Sequence, residues 1–495
     1  MIDKLSWIAV YPEITLLVMA CAITMLDLAV KTPLRTATYL MTLLTLGTVA
    51  VMQYLYADTD QTIYGFGNMV VSDPMGNWLK LFATLAMMVT LVYGRPYAAS
   101  RDMLRGGELF TLSLFSLLGM FVMISGNNFV VLYLGLELLT LSGYALVALR
   151  RDHVVSTEAA MKYFVLGAMA SGFLLYGLSM LYGATGSLDI TEVFQAINSK
   201  QVKPEVLIFG LVFIIAGLGF KLGAVPFHMW VPDVYQGAPT AVTLIIGGAP
   251  KFAAFAIVIR ILVEGLMPLS IHWQEMLMVL SVASLLVGNL AAIMQSNLKR
   301  MLAYSTISQM GFVLLAMVAG NVGGDVKFAA DAYGASMFYV TTYVLTTLAS
   351  FGIIMLLSRA GFESEEISDL AGLNQRSPLY AGVMTICMLS LAGIPPLVGF
   401  FAKLTVLEAL LRTGLTSHLW LAIFAVMMSL IAAFYYIRVI KIMYFDAPAS
   451  EATIDAPQDA RVVLAINGLL VLGLGLFSGG LMSLCHHAIV KMLTT

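Results

Sequence analysis

Residues Gly219 to Thr240 read GFKLGAVPFHMWVPDVYQGAPT, and Lys221 within them follows fifteen residues, Val206 to Phe220, without one polar side chain. A lysine, a histidine and three prolines therefore stand where an apolar helix has not yet finished crossing its surroundings. Pro226 has no amide hydrogen to donate and breaks such a helix. Broken backbone at membrane depth is tolerated only where protein or a water-lined cavity satisfies it. The carbonyl of Leu222, four residues before Pro226, loses its helical partner and must find another, water being the expected one.

The rest of the chain explains why Lys221 is out of place. Of its 495 residues, 60% are hydrophobic and 11% charged, with a mean hydropathy of +0.92; soluble domains carry about 25% charged residues. This is the composition of an all-α integral membrane protein in a lipid bilayer. The net charge of −2 is scattered between apolar runs, so no nucleic-acid footprint exists. Cys21, Cys387 and Cys485 stand singly, without the spacing of a disulfide framework, a zinc site or an iron-sulfur cluster. The first apolar run, interrupted by Glu13, continues to Val30 and reads as a membrane helix, so no cleaved signal peptide is expected.

A helix needs about 20 apolar residues to cross. Such runs fall near 8–30, 37–56, 76–94, 108–125, 128–149, 159–183, 206–227, 239–264, 274–294, 301–319, 330–357, 379–411, 418–443 and 462–485, which makes about fourteen transmembrane helices. The run at 379–411 is too long for one straight helix and holds Pro395 and Pro396, so it too is expected to break. Basic residues test the count. One set of alternate connections holds Lys31, Arg35, Arg95, Arg101, Arg105, Arg150, Arg151, Lys299, Arg300, Arg359, Arg376, Arg438, Lys441 and Arg461. The other set and the termini hold Lys4, Lys200, Lys203, Lys327, Arg412 and Lys491. By the positive-inside rule the first set is cytoplasmic and both termini lie outside.

The remaining six basic residues lie within or at the ends of spans. An ionised side chain at the bilayer centre costs about 2.5–3.5 kcal/mol or more. Lys80, Lys162 and Arg260 lie near span ends and are expected to snorkel to the interface. Lys221, Lys251 and Lys403 lie too deep for that, as does Glu137 in NNFVVLYLGLELLTLSGYALVALRR. These four could form static ion pairs or a chain of titratable groups that carries protons. At about 4 Å and an effective dielectric of ~20, Glu137 and Lys221 would attract by about 4 kcal/mol, enough to switch the protonation of either. His228 would share the face of Lys221 if the helix continued, and could relay a proton.

The two broken spans, seventh and twelfth, are five crossings apart, so they run in opposite directions. That is the pattern of inverted repeats whose discontinuous helices mark a midplane site. The division expected is 1–107 for three leading helices, 108–264 for a first repeat, 265–443 for its inverted partner and 444–495 for a linker and final helix.

Together, the mid-membrane Glu137, KLGAVPFHMWVPDVYQGAPTAVT, Lys251 in GGAPKFAAF, NLKRMLAYSTISQMGF and LAGIPPLVGFFAK resemble the antiporter-like subunits of respiratory complex I over nearly the whole chain. The resemblance implies two inverted five-helix bundles. It also implies Glu137 as the acid that pairs with Lys221, Lys251 as a central relay, Lys403 as the terminal proton-transfer group and Lys162 as a modulator of Lys221. It further implies proton pumping in a bacterial inner membrane, beside other membrane subunits and a peripheral redox arm. No cofactor is expected on this chain, which has no GxGxxG after a strand and no cysteine cluster; NADH, FMN, iron-sulfur clusters and quinone would belong to partner subunits. Related subunits of a multi-subunit cation/proton antiporter or membrane-bound hydrogenase are the rival reading, and co-purification with flavin and iron-sulfur subunits discriminates the two. A purely structural scaffold, the rival of another class, would pump normally when its buried charges are neutralised.

Overall fold

With no water to bond its backbone in hydrocarbon, a chain this apolar satisfies its amides within helices. The computed structural model describes residues 4–199, 202–359, 361–448, 454 and 456–494, and these are almost entirely helical. Lys200, one of the outer-set basic residues, lies outside the described residues.

Among the described residues thirteen helices are long and apolar enough to cross a membrane: Tyr11–Ala29, Thr36–Asp58, Pro74–Ala99, Glu108–Ser125, Phe129–Val147, Val154–Thr185, Pro204–Leu222, Thr240–Gly265, Met267–Ile293, Leu298–Val318, Ala329–Leu357, Thr416–Phe445 and Gln458–Leu476. The twelfth crossing in order is the divided one, Pro378–Ala392 followed by Val398–Arg412, and it brings the number to fourteen. The last crossing also bends, at Phe477 (φ −127°, ψ 48°), into Gly479–Thr494. One departure from an all-helical chain is a two-stranded antiparallel ribbon in the connection between the second and third spans, Ile63–Gly65 against Val70–Ser72. It packs beside Ser6, and the Met69 carbonyl just before its second strand accepts from the Asn127 amide at 2.9 Å.

The eighth, tenth and eleventh spans form the centre of the molecule, while the sixth, thirteenth and fourteenth show most of their surface outward. Neighbouring spans pack through glycine. A methyl group on Gly119 or Gly135 would collide with the backbone of the facing span, which is how the fourth and fifth spans approach closely.

Two of the charges expected to snorkel do not. Lys80 is 1% exposed, and its amine meets Glu13 of the first span at 2.7 Å; Ser125 also donates to that carboxylate, at 2.9 Å. Arg260, 1% exposed, bonds Asp73 and Glu264 at 2.6 Å each and the Ile124 carbonyl at 3.3 Å. Depth near a span end permits snorkelling, but a buried acid on another span competes for the same cation and excludes lipid as well.

On the face with the richer set of basic residues, the connection before the twelfth span ties the halves together. Glu363 accepts from Arg101 at 2.8 Å and Arg150 at 3.3 Å, and Glu365 pairs with Lys299 at 2.9 Å.

Candidate functional site

The seventh span starts on Pro204, whose fixed φ suits a first helical turn, and stops at Leu222 because Gly223 turns left-handed (φ 79°). Residues 223–229 are not helical, and the chain resumes as Trp230–Gly237. The twelfth span repeats the device: Pro378 opens it, Gly393 (φ 83°) ends it after Ala392, and Val398 restarts it. The Val225–Pro226 and Pro395–Pro396 peptides within these breaks are both cis.

Each break leaves helical carbonyls without amide partners, and each is met by a buried ammonium. Lys251 donates to Leu222 O at 2.9 Å, so the partner of that carbonyl is a lysine rather than the expected water. Lys403, 6% exposed, donates to Leu391 O and Ala392 O at 2.9 Å and to Ser429 Oγ at 2.8 Å. A cation at a helix C-terminus also faces the negative end of the helix dipole. Lys251 reaches its position because the eighth span is itself interrupted. Thr240–Gly247 ends at Gly248 (φ −97°, ψ −101°), Pro250 opens a second helix, and Lys251 lies in its first turn.

Lys221 is different. Its amine is buried with no hydrogen-bond partner among the described residues, lying 5.7 Å from the Phe220 ring centroid. Oε1 of Glu137 is likewise buried and unpartnered. Glu137 acts electrostatically on Lys221, but the two are not in ion-pair contact at 4.0 Å or less. What Lys221 does share is a cavity of about 30 Å³ with Lys251, also lined by Ser116, Thr140, Tyr163 and Trp230. A water needs about 10–15 Å³ of such space, so two waters fit between the amines. Neither Glu137 nor His228 lines it. The helix does not continue past Gly223, so His228 is not carried round onto the face of Lys221; its Nδ1 is buried and unpartnered in the break.

Lys162 pairs with Glu158 and Asp233, both at 2.9 Å. Asp233 also holds Arg300 at 2.7 Å, so Lys162 grips the helix after the first break rather than Lys221 itself. Glu408 does not pair with Lys403: five residues along a helix turn it about 140° away.

A charge search missed the uncharged polar residues behind Lys403. Gln309 donates to Leu391 O at 3.2 Å and to Tyr436 Oη at 3.1 Å, accepts from Tyr339, and reaches Ser305 through Tyr436. Their sequence signal is a run of polar residues, Ser305, Thr306, Ser308 and Gln309, inside an otherwise apolar span. Among the described residues no group of three or more His, Cys, Asp or Glu is placed to hold a metal ion.

The family model described as "NADH:quinone oxidoreductase/Mrp antiporter, TM" matches residues 126–432, a stretch that holds both breaks and Glu137, Lys221, Lys251 and Lys403. The chain is 72% identical to NADH-quinone oxidoreductase subunit N of Polaromonas naphthalenivorans, over 99% of this chain and 98% of the relative. The chain belongs to this family, on its subunit N branch. The subunit N of Herminiimonas arsenicoxydans is 59% identical over the full length of both chains. Among solved structures, a chain of respiratory complex I from Thermus thermophilus superposes with a TM-score of 0.79 at 32% identity, covering 95% of this chain and 98% of that one. A chain of the Mrp complex from Dietzia sp. DQ12-45-1b has a TM-score of 0.83 at 21% identity, covering 99% and 97%, which is a likeness of fold alone.

Proposed function

We propose that this subunit N chain translocates protons, driven by electron transfer from NADH to quinone in partner subunits of the complex that its relatives are named for. Glu137, Lys221, Lys251 and Lys403 are the transferring groups. The observation that carries the reading is the cavity shared by Lys221 and Lys251, beside a helix end whose carbonyl Lys251 already binds. Lys221, held by no partner, is the group free to move between Glu137 and the cavity. Lys251 and Lys403 sit on the two broken helix ends, with Gln309 and its tyrosines behind the second. Lys162 sets the position of Trp230–Gly237 through Asp233, and His228 lies on the approach to the first break. Residues 108–264 and 265–443 are the two working repeats, flanked by 1–107 and 444–495. In this reading NADH, FMN, iron-sulfur clusters and quinone are held by the peripheral and neighbouring subunits. The basic connections face the cytoplasm, and both termini lie on the periplasmic side of the inner membrane.

The test is at Lys251. Arginine keeps the charge but does not release its proton at neutral pH. Lys251→Arg and Lys251→Ala, in complexes shown to assemble, are both expected to lower NADH-driven proton uptake by inverted membrane vesicles about a hundredfold, the scale of a lost proton-transfer group. Normal pumping by the arginine variant alongside failure of the alanine variant would show that the residue supplies fixed charge, and the relay would be wrong.

A further inference from the structure

The Lys221 amine has no hydrogen-bond partner among the described residues, so its place is set by the helix end that carries it. That end is gripped by a side chain from beyond the break. Trp230, 3% exposed, is the first residue of Trp230–Gly237. Its Nε1 donates to the Phe220 carbonyl at 2.9 Å, and the Gly223 amide donates to the same oxygen at 3.0 Å. The indole also stacks against two rings, Phe220 (centroids 5.3 Å apart, planes at 30°) and Tyr163 of the sixth span (4.9 Å, 17°). Phe220 immediately precedes Lys221, whose amine lies 5.7 Å from its ring centroid. Trp230, Tyr163 and Lys221 all line the cavity shared with Lys251. The indole thus touches both the backbone that carries Lys221 and the space on which its amine opens.

The same short helix carries a charge. Asp233 lies three residues after Trp230, a neighbouring position on the helix surface, and is shared by Lys162 of the sixth span at 2.9 Å and Arg300 of the tenth at 2.7 Å. Gln236 also accepts from Arg300, at 3.1 Å, and the Gly237 carbonyl accepts from Ser156 at 3.0 Å. With eight residues the helix has about two turns. The non-helical residues 223–229 separate it from the first half of the seventh span, so it moves as a unit. The side chains of Asp233 and Lys162 are 32% and 43% exposed, whereas Trp230 is buried. One part of the helix therefore meets accessible charges, and the other reaches the cavity of Lys221.

We propose that Trp230 is a positioning residue for Lys221, and that the ion pairs of Asp233 act on the proton path through it. This rests on the proton-translocating reading above, to which it adds the element that sets the unpaired lysine. With Asp233 held by both cations, the indole bonds the Phe220 carbonyl and fixes the helix end. Loss of the Lys162 pair frees the short helix to tilt, the indole leaves the carbonyl, and the Lys221 amine turns between the Glu137 side and the cavity. Lys162 keeps Glu158, at 2.9 Å, as a partner when Asp233 moves, so the release leaves no unpaired cation on the sixth span. No proton passes through Trp230 itself, whose N–H only donates to the carbonyl.

The experiment uses the assembled complex in inverted membrane vesicles and reads NADH-driven proton uptake against pH. Trp230→Phe keeps a ring in the stack and loses the donor, and Trp230→Leu loses both. Uptake is expected to fall about tenfold in the first and about a hundredfold in the second, the scale of a reacting group misplaced by about 1 Å. The pH profile of each is displaced, which a residue that only fills space would not do. Asp233→Asn is expected to displace the profile in the same direction. The Trp230→Phe/Asp233→Asn double variant is displaced no further than the larger single, because residues that act through one contact do not add. Assembled Trp230→Phe complex with the wild-type rate and profile overturns the proposal, and so do displacements that simply add. Should the Trp230 variants not assemble, hydrogen exchange decides. In the assembled Asp233→Asn complex the Gly223 and Ala224 amides, which bond the Phe220 and Gly219 carbonyls, are expected to lose protection, and wild-type protection there overturns the assignment. Loss of pumping in the Lys251 variants beside a wild-type Trp230→Phe leaves the function intact and removes only this assignment; pumping intact in the Lys251 variants removes the function and this assignment with it.

Discussion

The two helix breaks solve one problem with lysines drawn from different places. At the first, the carbonyl of Leu222 is met by Lys251 from the next span, 29 residues on. At the second, the carbonyls of Leu391 and Ala392 are met by Lys403 from the restarted half of the same span. The first break carries an additional lysine, Lys221, whose amine has no partner and opens on a shared cavity. The second has none, and Lys403 spends all three of its hydrogens on fixed acceptors. The larger cavity beside Lys403, about 310 Å³, is lined mostly by apolar groups such as Phe312, Leu404 and Val426. One end of the system is thus loosely held and wettable, and the other is anchored.

The strongest way to break the comparison is at the loose end. Because Glu137 and Lys221 are not in contact, Glu137→Gln removes a titrating group without breaking an ion pair. Pumping is expected to fall about tenfold or more, while thermal stability of the assembled complex stays within about 0.5 kcal/mol of wild type. A loss of several kcal/mol would mean that a tight buried pair exists after all.

The anchored end predicts a ranking of stability. Each buried carbonyl left without a donor costs about 1–3 kcal/mol. Lys251→Met, which leaves the Leu222 carbonyl without its donor, is expected to destabilise most. Lys403→Met comes next, because Gln309 still donates to Leu391 O and Ser429 to Ala392 O, both at 3.2 Å, and Lys221→Met, which removes no hydrogen bond, is neutral or stabilising. Denaturation midpoints of the assembled complexes in detergent check the order. A Lys221→Met variant less stable than Lys403→Met would reverse the assignment of loose and anchored ends.

The smallest effect concerns what keeps the two ends aligned. Burial disfavours the ionised form of Glu363, but the bonds from Arg101 and Tyr97 outweigh it, and its carboxyl titrates below the ordinary glutamate range. A lowered carboxyl stabilises the folded state above the unfolded value, about 4.3, and the contribution disappears as pH falls through the lower folded value. The protection factors of the Phe362 to Glu366 amides, taken relative to the base-catalysed intrinsic exchange rate, are therefore expected to be flat from pH 8 to 5 and to fall only below about pH 4.3. Loosening already at pH 6 would show that Glu363 does not make the link.

Much of this molecule is legible in its sequence. The number of crossings follows from hydropathy, because hydrocarbon imposes a length on every apolar run. Both breaks follow from Pro226, Pro395 and Pro396, because a missing amide hydrogen is a property of the residue and not of its surroundings. The depth of Lys221, Lys251 and Lys403 follows from counting along a helix. The ribbon at 63–72 left no signal, since three-residue strands are too short to show a period.

Partnership is what the tertiary structure alone decided. Glu13 meets Lys80 across 67 residues and Asp73 meets Arg260 across 187, so charges that a single helix would let snorkel are buried instead. Leu222 could be known to need a donor, but not that the donor would be Lys251. Gln309 could be seen in its span, but not that it lies behind Lys403. The physical reason is the same in each case. A sequence sets how deep a residue lies and which neighbours share its helical face, whereas the rotation of one helix against the next, fixed by packing of all fourteen, chooses which atoms come within 3 Å of one another.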